Sequence, residues 1–208
     1  MDARTIDNST QASNPGSLTV SRQEYARYYG GNLFGRMAML GLSYLPVVNF
    51  LGWIRFSEHF RHGDTNPAVV INKDTGLVAC YTDLDTAMRS RFHVIKLFKA
   101  KLHLANRLVQ NGTTMAAVSL YYGTGEDRAR GRWRGFCPIL ADCVAMDSQQ
   151  SQSVKAKIPP SHWKALDMGL RQLGPRRLPG TYDITLPQEL KAEISSNEPW
   201  FAQPAFAV

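Results

Sequence analysis

A change in side-chain periodicity at residue 66 constrains the fold of this chain more than any other feature. Two apolar runs rich in β-branched residues, 67–71 and 77–81, flank the loop sequence NKDTG. Such runs around an Asn, Asp and Gly loop are typical of a β-hairpin. Extended segments follow at 92–98, 113–122 and 133–146, separated by turn residues. Together they predict an antiparallel, strongly curved sheet or small β-barrel over about residues 66–146.

Helical patterns precede this central region. The sequence SRQE at residues 21–24 has the spacing of a capping box, and apolar residues follow at helical intervals. Gly30 and Gly31 weaken this first helix, and Pro46 interrupts it before a second helical piece begins. The pattern predicts a helical hairpin over residues 19–62.

The clearest helix in the sequence spans residues 160–173. Pro160 suits its first turn, one face is apolar, and the Gly-Pro pair at 174–175 ends it. The sequence therefore predicts an α+β protein in which an N-terminal helical hairpin, a curved antiparallel sheet and this C-terminal flanking helix pack together.

One main domain is expected, because 208 residues form one sizeable core. We predict a disordered polar tail (1–18) without the pattern of a secretory signal, the helical hairpin (19–62), a β-rich core (63–186) and a C-terminal extension (187–208). Trp200, Phe201 and Phe206 indicate that the extension docks on a surface.

Cysteine usage favours a cytosol-like compartment, and the positive charge of the chain is concentrated in its middle. Cys80, Cys137 and Cys143 form no CxxC motif, which indicates reduced thiols. The net charge is +7, and residues 87–134 hold ten Lys or Arg but only two acidic residues. A concentrated positive region attracts phosphate groups or anionic lipid.

Residues 37–54 form a run of 18 residues without a charged side chain. This length is near the lower limit for a membrane-spanning helix. Ser43, Tyr44, Pro46 and Asn49 within the run oppose a span, whereas Arg36 and Arg55 at its ends fit a span or an interfacial helix. Three interpretations stay open: a buried or partner-facing hairpin, peripheral contact with a membrane surface, and a true span.

The octapeptide VACYTDLD, residues 78–85, places a thiol, a phenol and two carboxylates close together. In a strand, alternate side chains face opposite sides, so Cys80 and Tyr81 are predicted to point apart. Asp83 and Asp85 either cap the following turn or share a divalent cation.

A second candidate metal site is the sequence SEHFRHGD, residues 57–64. His59 and His62 share a helix face, and Asp64 follows them, so a metal-dependent hydrolase using these residues with Asp83 or Asp85 is one alternative. The other interpretation is a polar helix end that carries no metal.

The segment 128–134 carries four arginines at alternate positions. In extended backbone these side chains project to one side and Trp133 faces away, an arrangement that suits binding of nucleic acid or another anion. The alternative is a solvated, charge-protected sheet edge. The residues concerned are Arg128, Arg130, Arg132, Arg134 and Trp133.

Several short motifs follow one another between residues 61 and 184: RHGDTNPAVVINKDTGLVACYTDLDT, HVIKLFKAKLH, GTTMAAVSLYYG, RWRGFCPILADCV, IPPSHWKALDMGL and LPGTYDI. Their order resembles the bacterial family known as domain of unknown function 3239. The interval 125–132 and the tail after residue 187 depart from the pattern. The resemblance implies a small β-rich domain with flanking helices and transfers no catalytic residue.

These observations favour a non-catalytic binding or assembly module without a cofactor, in the bacterial cytoplasm or at the inner membrane surface. Its expected partner is a protein or an anionic ligand. Nucleic-acid or anion binding and metal-dependent hydrolysis are the alternatives.

Overall fold

The computed structural model of the chain describes residues 12, 14–42, 44, 48–86, 92–175 and 178–196, without the side chains of residues 48 and 49. The aromatic residues Trp200, Phe201 and Phe206 of the predicted docking extension lie outside this part of the chain, as do residues 1–11.

Residues 14–18, from the predicted N-terminal tail, run along the end of the third helix. The main-chain N–H of Gly16 donates to the carbonyl of Gly63 at 2.9 Å, and that of Leu18 donates to the carbonyl of Phe60 at 2.9 Å. The side chain of Leu18 is buried. This stretch therefore packs against the body of the protein.

Three helices, rather than two, form the N-terminal region: α1 (Arg22–Gly30), α2 (Leu33–Leu42) and α3 (Val48–His62). The predicted capping box is present, because Ser21 and Glu24 each accept the other's main-chain N–H. The predicted first helix is divided where Gly31 adopts a φ of 64°, a left-handed conformation that suits glycine.

Six strands form one sheet: β1 (Asp64–Asn72), β2 (Leu77–Asp83), β3 (His93–Lys99), β4 (Thr114–Tyr122), β5 (Gly135–Leu140) and β6 (Gly180–Asp183). Their order is β5-β4-β1-β2-β3-β6, and every neighbouring pair is antiparallel. The predicted hairpin is the β1–β2 pair. The sheet curls into a half-barrel, which confirms the predicted α+β fold with a curved antiparallel sheet.

Four more helices follow β4: α4 (Gly125–Ala129), α5 (Ser148–Ala156), α6 (Pro160–Leu173) and α7 (Gln188–Ser196). Helix α6 has the bounds that the sequence predicted. The segment 133–146 is extended only to Leu140, after which a 3-10 turn spans Ala141–Cys143. Strand β6 and helices α5 and α7 were not predicted.

The two faces of the sheet carry separate hydrophobic cores, as alternation along β2 requires. Val78 and Cys80 pack on the concave face with Phe136. Ala79 and Tyr81 pack on the opposite face with Leu166 of α6. Cys80 and Tyr81 therefore point apart, as predicted.

Candidate functional site

Helix α2 and its neighbours present a large apolar surface to solvent. None of the ten residues of α2 is buried, and Phe34 keeps 83% of its area exposed. We define the helical surface as the exposed apolar residues of this region: Leu33, Phe34, Met37, Leu42, Tyr44, Phe50 and Leu51. Clustered exposure of this kind marks an interaction site more often than isolated apolar residues do.

The sequence of α2 explains why its apolar residues stay exposed. The helix reads LFGRMAMLGL, so apolar side chains point in all directions, whereas contact with a neighbouring helix covers one side. Met39 packs against the core formed by α1, α3 and β4. The remaining sides have no cover among the described residues.

A tight corner holds α2 against α1. A Cβ atom on Gly35 would lie 2.1 Å from the carbonyl oxygen of Gly30, so the two backbones meet where only glycine fits. The main-chain N–H of Gly35 also donates a 2.8 Å hydrogen bond to the side-chain oxygen of Asn32, which caps the start of the helix. The corner therefore fixes the direction in which α2 leaves the body.

Packed aromatic rings support the helical surface from below. The ring of Tyr25 lies 5.3 Å from that of Phe56 and 6.0 Å from that of Trp53. The guanidinium of Arg22 lies 4.2 Å from the ring centroid of Tyr44. These contacts join α1, α3 and residue 44 into one base, so the exposed residues project from a packed support.

The stretch of sequence that contains the helical surface carries positive charge. Residues 25–57 contain three arginines and no Asp or Glu. Arg27 points inward, since its Nη2 donates to the carbonyl of Leu104 at 2.6 Å. Arg36 and Arg55 are exposed, and neither has an acidic partner in the described part of the chain.

The predicted charge-free run 37–54 supplies much of this surface. Residues 43 and 45–47 of the run lie outside the described residues. Among the helices that the structure describes, none has the length and apolar character needed to cross a membrane.

The predicted extended row of arginines is not formed. Thr124 and Asp127 make a capping box, each accepting the other's main-chain N–H, and this cap begins helix α4. Arg128 lies in the last turn of α4, and Arg130 at its end has right-handed helical geometry. The arginines therefore do not project from one extended strand.

The remaining residues of that segment contact different parts of the protein. Arg132 forms an ion pair with Asp183 on β6, and Arg134 Nε lies 3.1 Å from Asp127 Oδ2. Trp133 is buried and stacks with Tyr121. Binding of nucleic acid or another anion by these residues stays a prediction.

His59 of the predicted metal site has a structural contact. Its Nε2 lies 2.6 Å from the carbonyl oxygen of Val118 on β4, so the neutral ring donates this bond and joins α3 to the sheet. Burial lowers the pKa of His59 to about 4, although the hydrogen bond to Val118 opposes the shift. The imidazole is therefore neutral near pH 7.

Asp64 is part of a different polar cluster, on the concave face of the sheet. Its Oδ1 accepts from the N–H of Asn14 at 2.8 Å, and its Oδ2 accepts from the hydroxyl of Tyr121 at 3.0 Å. The Tyr121 hydroxyl also lies 2.5 Å from that of Thr82 and 3.4 Å from Asn66 Nδ2. Burial raises the pKa of Tyr121 well above its usual value, so the phenol keeps its proton.

Asp83 and Asp85 lie at the turn after β2. Asp83 Oδ1 accepts from the N–H of Asp85 at 3.0 Å and from that of Phe92 at 2.8 Å, the turn-capping role given above as one interpretation. Within the described ranges, no three His, Cys, Asp or Glu side chains are grouped to hold a metal ion. The candidates His59, His62, Asp64, Asp83 and Asp85 are therefore not brought together.

A buried polar junction that the sequence did not reveal lies beneath the start of α6. The hydroxyl of Tyr81 is 2.9 Å from His93 Nδ1, and Asp83 Oδ2 is 3.5 Å from the same nitrogen. The ring of His162 on α6 meets Tyr81 edge-on, with centroids 5.7 Å apart. Asp83 and His93 are paired across β2 and β3 in the sheet. The sequence does not show this pairing, because it depends on the register of the two strands. Tyr81, His93 and His162 are all buried, so this junction connects β2 and β3 to α6.

The two buried cysteines are not reactive thiolates. Burial raises the pKa of Cys80, despite the opposing effect of Lys96, and raises that of Cys143 to about 12. Cys137 is exposed on β5. Buried thiols of this kind act as small apolar side chains.

Comparisons with known proteins indicate the family to which the chain is related. Residues 54–174 match the family described as protein of unknown function (DUF3239), in agreement with the predicted resemblance. A crystal structure of a protein from Corynebacterium diphtheriae, described as "a putative membrane protein", is similar at 17% identity and a TM-score of 0.45, covering 58% of this chain and 100% of that one. No curated protein matches the chain significantly.

Proposed function

Because this chain belongs to the DUF3239 family, which brings no activity with it, we propose a function from its own surface: a non-catalytic binding module that rests its helical surface on a membrane. The observation that carries the proposal is a whole helix, α2, without a buried residue. Apolar side chains in water cost free energy in proportion to their area, so a partner surface that covers them is favoured.

The composition of the helical surface suits the boundary between lipid and water. Leu33, Phe34 and Met37 supply apolar area, and Tyr44 supplies an aromatic ring with a polar end. Phenol and indole rings favour membrane interfaces, where one end is apolar and the other is hydrated. A helix lying in the interface places such residues in the acyl boundary without spanning the bilayer.

The structural roles of other titratable or nucleophilic side chains support a binding role over catalysis. His59 donates to the sheet, Asp64 accepts two hydrogen bonds, and Cys80 is buried. Each contributes to the core of the fold, whereas α2 has no buried residue. These contacts support placing the proposed function at the helical surface.

The test is flotation of the purified protein with vesicles of mixed phosphatidylcholine and phosphatidylglycerol. Phe34→Ser should lower the vesicle-bound fraction at least several-fold, because transferring a large apolar side chain from water contributes about 2 kcal/mol. Leu108→Ser is the matched control, since Leu108 is also 83% exposed but lies in the connection between β3 and β4, outside the helical surface. Equal binding by both variants, or no flotation of the unmodified protein, would overturn the proposal.

A further inference from the structure

We infer that the helical surface selects lipids with anionic headgroups, an inference that rests on the proposed function and names its partner. Two observations carry it. Arg36 and Arg55 stand at the border of the apolar residues, and the surrounding sequence has no acidic side chain between Glu24 and Glu58.

The positions of the two arginines suit headgroup contact. Arg36 lies in α2 next to Met37, and Arg55 follows Leu51 by about one turn of α3. Both side chains are exposed. An arginine beside buried apolar residues lays its aliphatic stem along the acyl boundary and keeps its guanidinium at headgroup level. The planar guanidinium also donates two parallel hydrogen bonds to a phosphate, which a point charge does not.

The two acidic residues nearest in sequence to the helical surface, Glu24 and Glu58, lie outside α2. The carboxylate of Glu24 accepts the main-chain N–H of Ser21 in the capping box of α1. Glu58 lies about one turn beyond Arg55 on α3 and is exposed, and no ion pair joins it to either arginine within the described residues. The first half of α3, which includes Phe50 and Leu51, carries no negative charge.

Charge also argues against a second copy of this chain as the occupant. Two helical surfaces pressed together would bring the Arg36 and Arg55 side chains of both copies into one interface, four arginines against at most the two copies of Glu58. Like charges in a partly desolvated interface oppose association. An anionic bilayer supplies the missing negative charge at the depth where the guanidinium groups lie.

The experiment compares flotation with vesicles of phosphatidylcholine alone and of phosphatidylcholine mixed with phosphatidylglycerol. The unmodified protein should bind the mixed vesicles more tightly, and the difference should shrink as salt is raised. Arg36→Gln and Arg55→Gln should each weaken partitioning into mixed vesicles about fivefold, since each basic residue near an anionic surface contributes about that factor. Arg171→Gln, which removes the same charge from α6, should have no such effect.

The outcomes separate the two proposals. Equal binding to both kinds of vesicle, with loss of binding in Phe34→Ser, would overturn the anionic selection and leave the membrane-binding function standing. Binding to neither kind would overturn both. Retention of a single-stranded oligonucleotide that depends on Arg36 and Arg55, without vesicle binding, would also overturn the inference and point to nucleic acid.

Discussion

Lys96 on β3 donates a hydrogen bond from its ammonium group to the main-chain carbonyl of Phe136 on β5, although three strands separate β3 from β5 in the sheet. The ammonium also lies 5.1 Å from the ring centroid of Phe136. In a flat sheet β3 and β5 would be too far apart for one lysine side chain to join them. The curl of the sheet brings the two strands close enough across the concave face. The contact is therefore a consequence of the curvature and helps to maintain it.

Removal of this contact should destabilise the half-barrel. Lys96→Met keeps an apolar stem of similar length but loses a charge-assisted hydrogen bond, so the free energy of unfolding should fall by about 1.5 kcal/mol. Urea denaturation measures the change. Lys99→Met, an exposed position at the end of the same strand, should alter stability by less than about 0.5 kcal/mol. Equal effects of the two substitutions would show that the cross-sheet contact contributes nothing.

The neutral His59 should make stability depend on pH below the ordinary histidine range. Its pKa is about 4 in the folded protein, against 6.5 for the free side chain. Between these values the unfolded chain binds a proton that the folded protein does not, so the free energy of unfolding falls as pH falls. The slope attributable to this residue approaches 1.4 kcal/mol per pH unit.

Denaturation of the protein and of His59→Gln at several pH values between 7 and 4 isolates that contribution. Glutamine keeps a donor amide but does not titrate, so the variant should lose stability less steeply as the solution is acidified. Parallel curves for the two proteins would contradict the assignment of a lowered pKa to His59.

The central hairpin could be predicted because its determinants are local. The loop NKDTG forms the turn, and Val69 pairs with Ala79 across it. Alternation along β2 then correctly placed Cys80 and Tyr81 on opposite faces. Turn chemistry and a two-residue period need no knowledge of the rest of the chain.

Elements that depend on distant partners could not be predicted in this way. Strand β6 has only four residues, GTYD, and no apolar run, so its place beside β3 follows from tertiary pairing. The apolar run of α2 indicated a helix, but periodicity does not show whether another element covers it. The exposure of Leu33 and Phe34 therefore became evident only from the packed structure.

The arginine segment illustrates a local signal that was present but not used. The alternation of Arg128, Arg130 and Arg132 suggests one face of a strand only if the backbone is extended. Thr124 and Asp127 have capping-box spacing, which indicates a helix start just before the arginines. The cap determines the backbone here, and the alternation has no structural meaning.

A buried ion pair should give unequal effects when its two members are replaced. Arg107 Nε lies 2.6 Å from Asp142 Oδ1, and Ser151 Oγ donates to the same oxygen at 3.1 Å. The side chain of Asp142 is 2% exposed, against 27% for Arg107. A carboxylate left alone in the interior is costly, whereas a partly exposed guanidinium is hydrated.

Arg107→Met should therefore lower the free energy of unfolding by about 3 kcal/mol, and Asp142→Asn by about 1 kcal/mol. The double variant should lose less than the sum, because it leaves no unpaired carboxylate. Calorimetric or urea unfolding of all four proteins provides the comparison. A larger loss for Asp142→Asn than for Arg107→Met would contradict this account of the pair.

Two glycines of α2 should respond in opposite directions to the same substitution. A Cβ on Gly35 would lie 2.1 Å from the carbonyl oxygen of Gly30, whereas a Cβ on Gly41 would have, in the described part of the chain, no atom within 4 Å beyond its neighbours and its own helix backbone. Gly41→Ala should stabilise the helix by about 0.5–1 kcal/mol, because alanine has the higher helix propensity. Gly35→Ala should destabilise the α1–α2 corner by about 1–3 kcal/mol, because backbone atoms must move apart.

Vesicle flotation connects these variants to the proposed function. Gly41→Ala leaves the corner intact and should bind vesicles at least as well as the unmodified protein. Gly35→Ala changes the direction in which α2 leaves the body, so vesicle binding should weaken while the far-ultraviolet circular dichroism of the sheet is retained. If Gly35→Ala binds vesicles normally despite its lower stability, the orientation of α2 does not matter for docking, and the helical surface acts only through its composition.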